Sequence, residues 1–200
     1  MSITIANVKI KGSKPLLFNN FTIDSIPLHK KVKSGVAGNN PHEWKNTFQM
    51  TTNRQLYLDS RYIFGCLRAG SKYISRGRGS LEPTVSATLQ VLSDKLLLNR
   101  FVPYENIITT NEDNLVYIDI RPVTRRGVKN IRYRLAIAEG WEASFRIAWE
   151  NTLISLEQMK AVCLDAGTFA GLGDARKIGY GRFEVLEFKE CPNLEEQYYA

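Results

Sequence analysis

Apolar positions along the chain change period several times, and each change marks an element. Ile3, Ile5, Val8 and Ile10 stand among polar residues in near-alternation, with one slip of phase. They predict a first strand, closed by Gly12 and Pro15. Residues 14–40 carry no period, and Pro41 then suits the first turn of a short helix through Glu43 and Trp44 to Phe48. Because this stretch holds Phe18, Phe21, Trp44 and Phe48, residues 13–55 read as an ordered insertion rather than a linker. Leu56-Tyr57-Leu58 is a short extended piece, after which Asp59 or Ser60 caps a helix to about Ile74. Tyr62, Ile63, Cys66, Leu67, Gly70 and Tyr73 form its predicted buried stripe, with Arg61, Arg68 and Lys72 elsewhere on the helix.

Ser75 to Ser80, reading SRGRGS, predicts a flexible basic turn carrying Arg76 and Arg78. Val85 to Leu98 alternates well enough for two strands joined at Ser93-Asp94. Leu115–Ile120 and Ile131–Ala138 predict two more strands around a turn holding Arg125, Arg126 and Gly127, and Ala143–Trp149 a further one. Ser155 with Gln158 makes a capping box. The helix it opens carries Leu156, Met159, Val162, Cys163 and Ala166 on one face and stops at Gly167. Tyr180–Lys189 closes the chain as a strand with Phe183, Val185, Leu186 and Phe188. Without the insertion the order is strand, helix, strand, strand, helix, strand. That order predicts an α+β, ferredoxin-like or RRM-like βαββαβ fold: an antiparallel sheet with both helices on one face. Residues 1–200 read as a single domain, with a basic hairpin at about 115–138 and a Gly-rich loop at 171–181.

Charge changes this picture from a fold to a partner. Twenty-seven Lys and Arg against twenty Asp and Glu leave +7 and a pI near 9.3 in an otherwise ordinary globular composition. The surplus is clustered, which favours phosphate contacts with nucleic acid over a merely basic surface. Cys66, Cys163 and Cys191 have no paired spacing, so neither a zinc signature nor a disulfide framework is implied. No metal or cofactor is expected. The first ten residues read as a strand rather than a signal peptide, and no apolar run nears the ~20 residues of a membrane span. The cytoplasm is the expected compartment.

The most informative segment runs from Gly171 to Phe183, GLGDARKIGYGRF. Gly171, Gly173, Gly179 and Gly181 permit positive φ and close backbone approach, so successive N–H groups can cup an anion while Arg176, Lys177 and Arg182 supply charge. No GK[ST] follows, and the loop leads from helix into strand, so it is neither a Walker loop nor a dinucleotide fingerprint. A tight connection to the last strand would call for the same glycines.

The GYGRFEV of Gly179–Val185 resembles the glycine-rich loop, ending in G-[YF]-G-R before a C-terminal strand, of the RAMP superfamily of CRISPR-associated proteins. Leu56 to Arg68, LYLDSRYIFGCLR, is similar to that family's strand leading into a helix bearing G-x-L-R, although Asp59 stands where Pro-Gly is common. The resemblance implies a ferredoxin-like core that binds guide RNA and takes part in antiviral defence within an effector complex or homo-oligomer. The terminal GxGD…GRFEV pattern is also similar to prophage-encoded proteins, which keeps a stand-alone phage setting open.

Further basic features fit the same reading. Arg121 to Arg134 holds six basic residues and no acid, with Arg132 and Arg134 on one hairpin face and Arg125, Arg126 and Lys129 towards the tip. The resemblance makes this hairpin a candidate thumb. Lys30, Lys31 and Lys33 beside Gly35 form a candidate phosphate-contacting loop. RNA is the expected ligand, single-stranded DNA the second. Enzymatic activity is not required by any motif, but a metal-independent RNA endonuclease using His29 as base, or Asp174, stays open. A third reading is a mobile-element protein docking an acidic protein partner.

Overall fold

The computed structural model describes residues 2–20, 41–103, 108–125 and 127–191, apart from the side chains of Arg125 and Val128. His29, Lys30, Lys31, Lys33 and Arg126 lie outside the described residues. The first half comprises β1 (Ile3–Gly12), β2 (Leu16–Leu17), a 3-10 turn (Glu43–Asn46), β3 (Gln49–Met50), β4 (Gln55–Asp59), α1 (Ser60–Gly70) and a second 3-10 turn (Ser71–Tyr73). Next come β5 (Ser75–Arg76), β6 (Gly79–Ser80), α2 (Glu82–Thr88), β7 (Gln90–Val91), β8 (Lys95–Phe101), β9 (Val116–Arg125) and β10 (Val128–Ile137). The chain closes with β11 (Glu142–Glu150), α3 (Leu156–Asp165), a π turn (Ala166–Ala170), a third 3-10 turn (Arg176–Ile178) and β12 (Phe183–Cys191).

The protein is α+β. Its main sheet runs β12-β1-β11-β8-β4-β3, with β7 also on β11, and every pairing among the described strands is antiparallel. An order in which β1 and β11 sit between strands that come later or earlier in the chain is consistent with a ferredoxin-like-type fold. Ala6, Val8, Ile10, Phe145, Ile147 and Trp149 of the central strands bury against Ile63, Cys66 and Leu67 of α1 and Met159, Val162 and Cys163 of α3. Each buried large aliphatic contributes roughly 1.5–3 kcal/mol, so this layer carries most of the driving force. The opposite face of β1 and β11 presents Asn7, Lys9, Lys11, Ser144 and Arg146 and no aromatic ring. Among the described residues no helix is long and apolar enough to cross a membrane.

Several expected elements differ in detail. The slip of phase in β1 is a change of face: Ala6, Val8 and Ile10 enter the core, while Ile3 is exposed. Residues 82–88 are helical rather than extended, because Leu81, Val85 and Leu89 bury one helical face and Pro83 suits the first turn. β7 and β8 do not fold back on each other. Both run along β11, Val91 opposite Ile147 and Leu98 opposite Ala143, as one strand broken where Ser93 Oγ accepts the Arg146 N–H (2.9 Å). A bulge opposite Lys9-Ile10 turns Leu186 outward and keeps both Val185 and Phe188 against the core. α3 does not stop at Gly167. It passes into the π turn and ends at Gly171 (φ +76), while Gly167 packs against Phe183, whose carbonyl oxygen would lie 2.2 Å from an added Cβ. Tyr73, expected in the buried stripe, is exposed, because the chain tightens to 3-10 after Gly70.

A second sheet, β2-β10-β9, is built on the predicted hairpin, which is longer than its apolar pattern suggested. Arg125 pairs with Val128, which leaves a short connection that carries Gly127 at φ +80. At the base, Val116, Leu135 and Ile137 join the main core. Their partners on the other face, Tyr117 and Ala136, form a small cluster with Leu17, Tyr180 and Ala175.

Candidate nucleic-acid interface

Two segments remote in sequence meet at the start of α1. Asp59 caps the helix by accepting the Arg61 N–H at 2.9 Å, and the same carboxylate receives the Arg61 guanidinium at 2.8 and 3.2 Å. That hydrogen bond holds the Asp59 carboxyl below its ordinary range. With the Arg61 side chain 86% exposed, the pair aims the guanidinium outward rather than adding stability. Tyr62 donates to the Asn19 carbonyl (3.1 Å), and burial, then the Asp174 carboxylate, pushes its phenol above the usual value, keeping it a neutral donor. Asn20 is tied down by its N–H to the Thr47 carbonyl (2.7 Å). Arg61, Tyr62, Gly65, Asn19, Asn20 and Arg176 of the Gly-rich loop line an open hollow of about 350 Å³.

Two features of this hollow are unusual for plain structure. Asn20 Nδ2 is buried and has no hydrogen-bond partner among the described residues. Gly65 sits in mid-helix, where glycine costs about 1 kcal/mol relative to alanine, yet an added Cβ would have nothing within 4 Å among the described residues. The helix backbone is therefore open to close approach at this point. Asn19, Asn20 and Gly65 were not on the sequence-derived list. The visible signal was Gly65 itself, one turn beyond Arg61 in an otherwise good helix.

The Gly-rich loop is a folded unit. Gly171 N–H donates to Ala166, Leu172 to Gly181, Asp174 to Leu17, Gly179 to Arg176 and Gly181 to Pro15, all to carbonyls at 2.8–3.1 Å. An added Cβ at Gly171, Gly173 or Gly181 would lie 2.8, 2.4 or 1.9 Å from the carbonyl oxygens of Tyr180, Leu17 and Leu172. These glycines let backbone pack on backbone. The amides of Gly171, Gly179 and Gly181 are already used and form no anion cup, a correction to the expected concavity. Of the four loop glycines only Gly179 (φ +96) faces open space. What the loop offers outward is side chains: Arg176 and Lys177 are exposed, and Arg182 reaches back to the Arg176 carbonyl at 3.5 Å.

Arg132 and Arg134 do share a hairpin face, but that face turns inward. Arg134 is buried, paired with Asp174 and lying 3.7 Å from Asp119, which also accepts from Arg121 Nε at 2.7 Å. Arg132 pairs with Glu43 at 2.6 Å, and Arg121 lies over the Tyr180 ring at 4.6 Å. Asp174 thus pairs with Arg134 rather than with Arg176 or Arg182, and its other oxygen takes the Ala175 N–H (2.7 Å). A carboxylate so engaged locks hairpin to loop and is poorly placed to act as a base. Burial pushes the Tyr117 phenol behind this network up to about 12.

The remaining candidates lie apart from the hollow. Arg68 (3.8 Å) and Lys72 (3.4 Å) share Glu82, and Arg76 donates to Thr84 Oγ1 in the β5–β6 turn, whose tip carries exposed Arg78. Lys129 is exposed towards the hairpin tip, on the same face as exposed Ile131 and Ile120. Cys66 and Cys163 are buried thiols, and burial pushes Cys66 up to about 12. Among the described residues no group of three or more His, Cys, Asp or Glu could hold a metal ion. A larger hollow of about 480 Å³ lies on the open sheet face, but there Lys9 is neutralised by Glu142 at 3.0 Å with Glu187 beside it.

No protein-family model matches the chain, and no curated protein does. Among solved structures, a chain in the cryo-EM structure of the type III-B Cmr-β bound to cognate target RNA matches with a TM-score of 0.54 at 15% identity. The match covers 94% of this chain and 60% of that one, so this protein spans about three fifths of its neighbour's length. At that identity the likeness is one of fold.

Proposed function

We propose that this protein binds RNA by its phosphates, as a RAMP-type, ferredoxin-like subunit of a CRISPR-type effector complex. The observation that carries the reading is the meeting of the RAMP-like segment Leu56–Arg68 with the Gly-rich loop that leads into the RAMP-like Gly179–Val185, around one open hollow edged by Arg61 and Arg176. Two guanidiniums set across a helix with no side chain at Gly65 suit a phosphate backbone passing close to α1. The fold shared with a chain of an RNA-bound assembly and the +7 surplus support the same direction. Lys177, Arg182 and Arg68 extend the proposed surface. Such contacts position a strand and read little of its sequence.

The test is fluorescence anisotropy with unrelated labelled RNAs over a range of salt, comparing the parent with the double variant Arg61→Ala, Arg176→Ala. We expect a roughly tenfold loss, similar for every sequence, and a log–log salt slope shallower by about 1.4 for two lost contacts to a single strand. Unchanged affinity and slope would sink the reading. Preference for DNA of the same sequence would redirect it, and a parent that ignores both would leave the acidic-protein reading standing.

A further inference from the structure

Residues 60–81 contain Arg61, Arg68, Lys72, Arg76 and Arg78 and no acid. The first of these serves the hollow. The rest lie at the other end of α1 and in the β5–β6 turn beyond it, where two aromatic rings stand exposed. Tyr73 would continue the stripe of Cys66 and Gly70, but the switch to 3-10 after Gly70 rotates it outward. Phe169, seven residues after buried Val162, would continue the buried face of α3, but the π turn Ala166–Ala170 rotates it outward too. Two different irregularities thus place two aromatics in solvent, Tyr73 58% and Phe169 46% exposed.

They are also placed on each other. Gly70 brings the end of α1 against the π turn, where an added Cβ would lie 2.5 Å from Ala166 N, and Cys66 Sγ sits 3.6 Å from the Ala166 carbonyl. The Tyr73 and Phe169 rings consequently meet at 4.7 Å between centroids, tilted by 42°. Neither ring belongs to the hydrophobic core. The pair is an outward-facing π surface, with Lys72 next to Tyr73 in the chain and Arg76 and exposed Arg78 in the β5–β6 turn that follows. The carboxylates near it are Asp165 and Glu82, the latter shared by Arg68 and Lys72.

We infer that the Tyr73–Phe169 pair is a stacking platform for an unpaired base of bound RNA, with Lys72, Arg76 and Arg78 holding the adjoining phosphates. This rests on the RNA-binding reading and adds a second contact point, roughly 16 Å along α1 from the Arg61 hollow. Aromatic rings accept any base by its π face, so the platform contributes affinity without sequence readout. It is non-ionic, which separates it from the hollow experimentally.

Anisotropy with a short labelled single-stranded RNA, and with the same backbone carrying abasic sites, distinguishes the two. We expect Tyr73→Ala and Phe169→Ala each to weaken binding of intact RNA about tenfold at unchanged salt slope. Tyr73→Phe should bind as the parent does, and the abasic strand should bind parent and alanine variants alike. As a check independent of alanine-variant folding, the Tyr73→Trp protein should show tryptophan quenching on saturation with intact RNA but not with the abasic strand. Alanine variants that bind as the parent does, or a Tyr73→Trp signal blind to bases, would overturn the platform while leaving the Arg61–Arg176 reading in place. A parent that binds no RNA would overturn both.

Discussion

The hairpin and the α1 rim are both rich in arginine, and they use it in opposite ways. On the hairpin, Arg134 is 5% exposed at its side chain and Arg121 31%, and their guanidiniums meet Asp119, Asp174 and the Tyr180 ring. On α1, Arg61 is 86% exposed and Arg68 51%, each paired with one carboxylate at the surface. The first set is a lock that fixes the second sheet to the Gly-rich loop, because a buried guanidinium left unpaired is strongly unfavourable. The second set gives up little on exchanging its carboxylate for a phosphate, because exposed ion pairs contribute little. Counting arginines therefore overstates the binding surface, and what matters is whether each side chain is already committed.

The sharpest way to break the comparison is Arg134→Ala. It takes the ion-pair partner from Asp174 and leaves Asp119 with Arg121 alone, and we expect a loss of about 3 kcal/mol in denaturant unfolding, with Arg134→Met less costly. The double variant of Arg61 and Arg176 should unfold like the parent, so equal losses would erase the distinction. Next, Gly181→Ala forces a Cβ to 1.9 Å from the Leu172 carbonyl at φ +68, whereas Gly179→Ala meets only the strain of its positive φ. Gly181→Ala should cost several kcal/mol and Gly179→Ala about 1–2. Similar melting temperatures for the two would mean that the loop is less tightly packed than its geometry implies. The smallest effect is expected at Gly65. Gly65→Ala should stabilise α1 by about 0.5–1 kcal/mol while weakening RNA binding, and stabilisation with full binding would mean that no ligand approaches the helix there.

Alternation and 3.6-periodicity made β1, α1, the hairpin strands, α3 and β12 legible, because those elements bury one face and sequence records which. The caps at Asp59 and Ser155 were equally legible, being local hydrogen bonds between near neighbours. The short helix α2 was missed because Leu81, Val85 and Leu89 also fit a strand over so few residues. The sheet order, the broken strand opposite β11 and the bulge at Leu186 are long-range pairings that no local window contains.

The chemistry of the site divides along the same line. Residue types, the +7 surplus and the two glycine-bearing segments are properties of the sequence itself, and they were sufficient to point at phosphate. Which arginines stay exposed was decided by tertiary contacts alone, since Arg134 and Arg61 read alike until Asp174 is brought to one and solvent to the other. The exposure of Tyr73 and Phe169 was likewise hidden, because a 3-10 or π turn changes the angle per residue and breaks the periodicity from which burial is read.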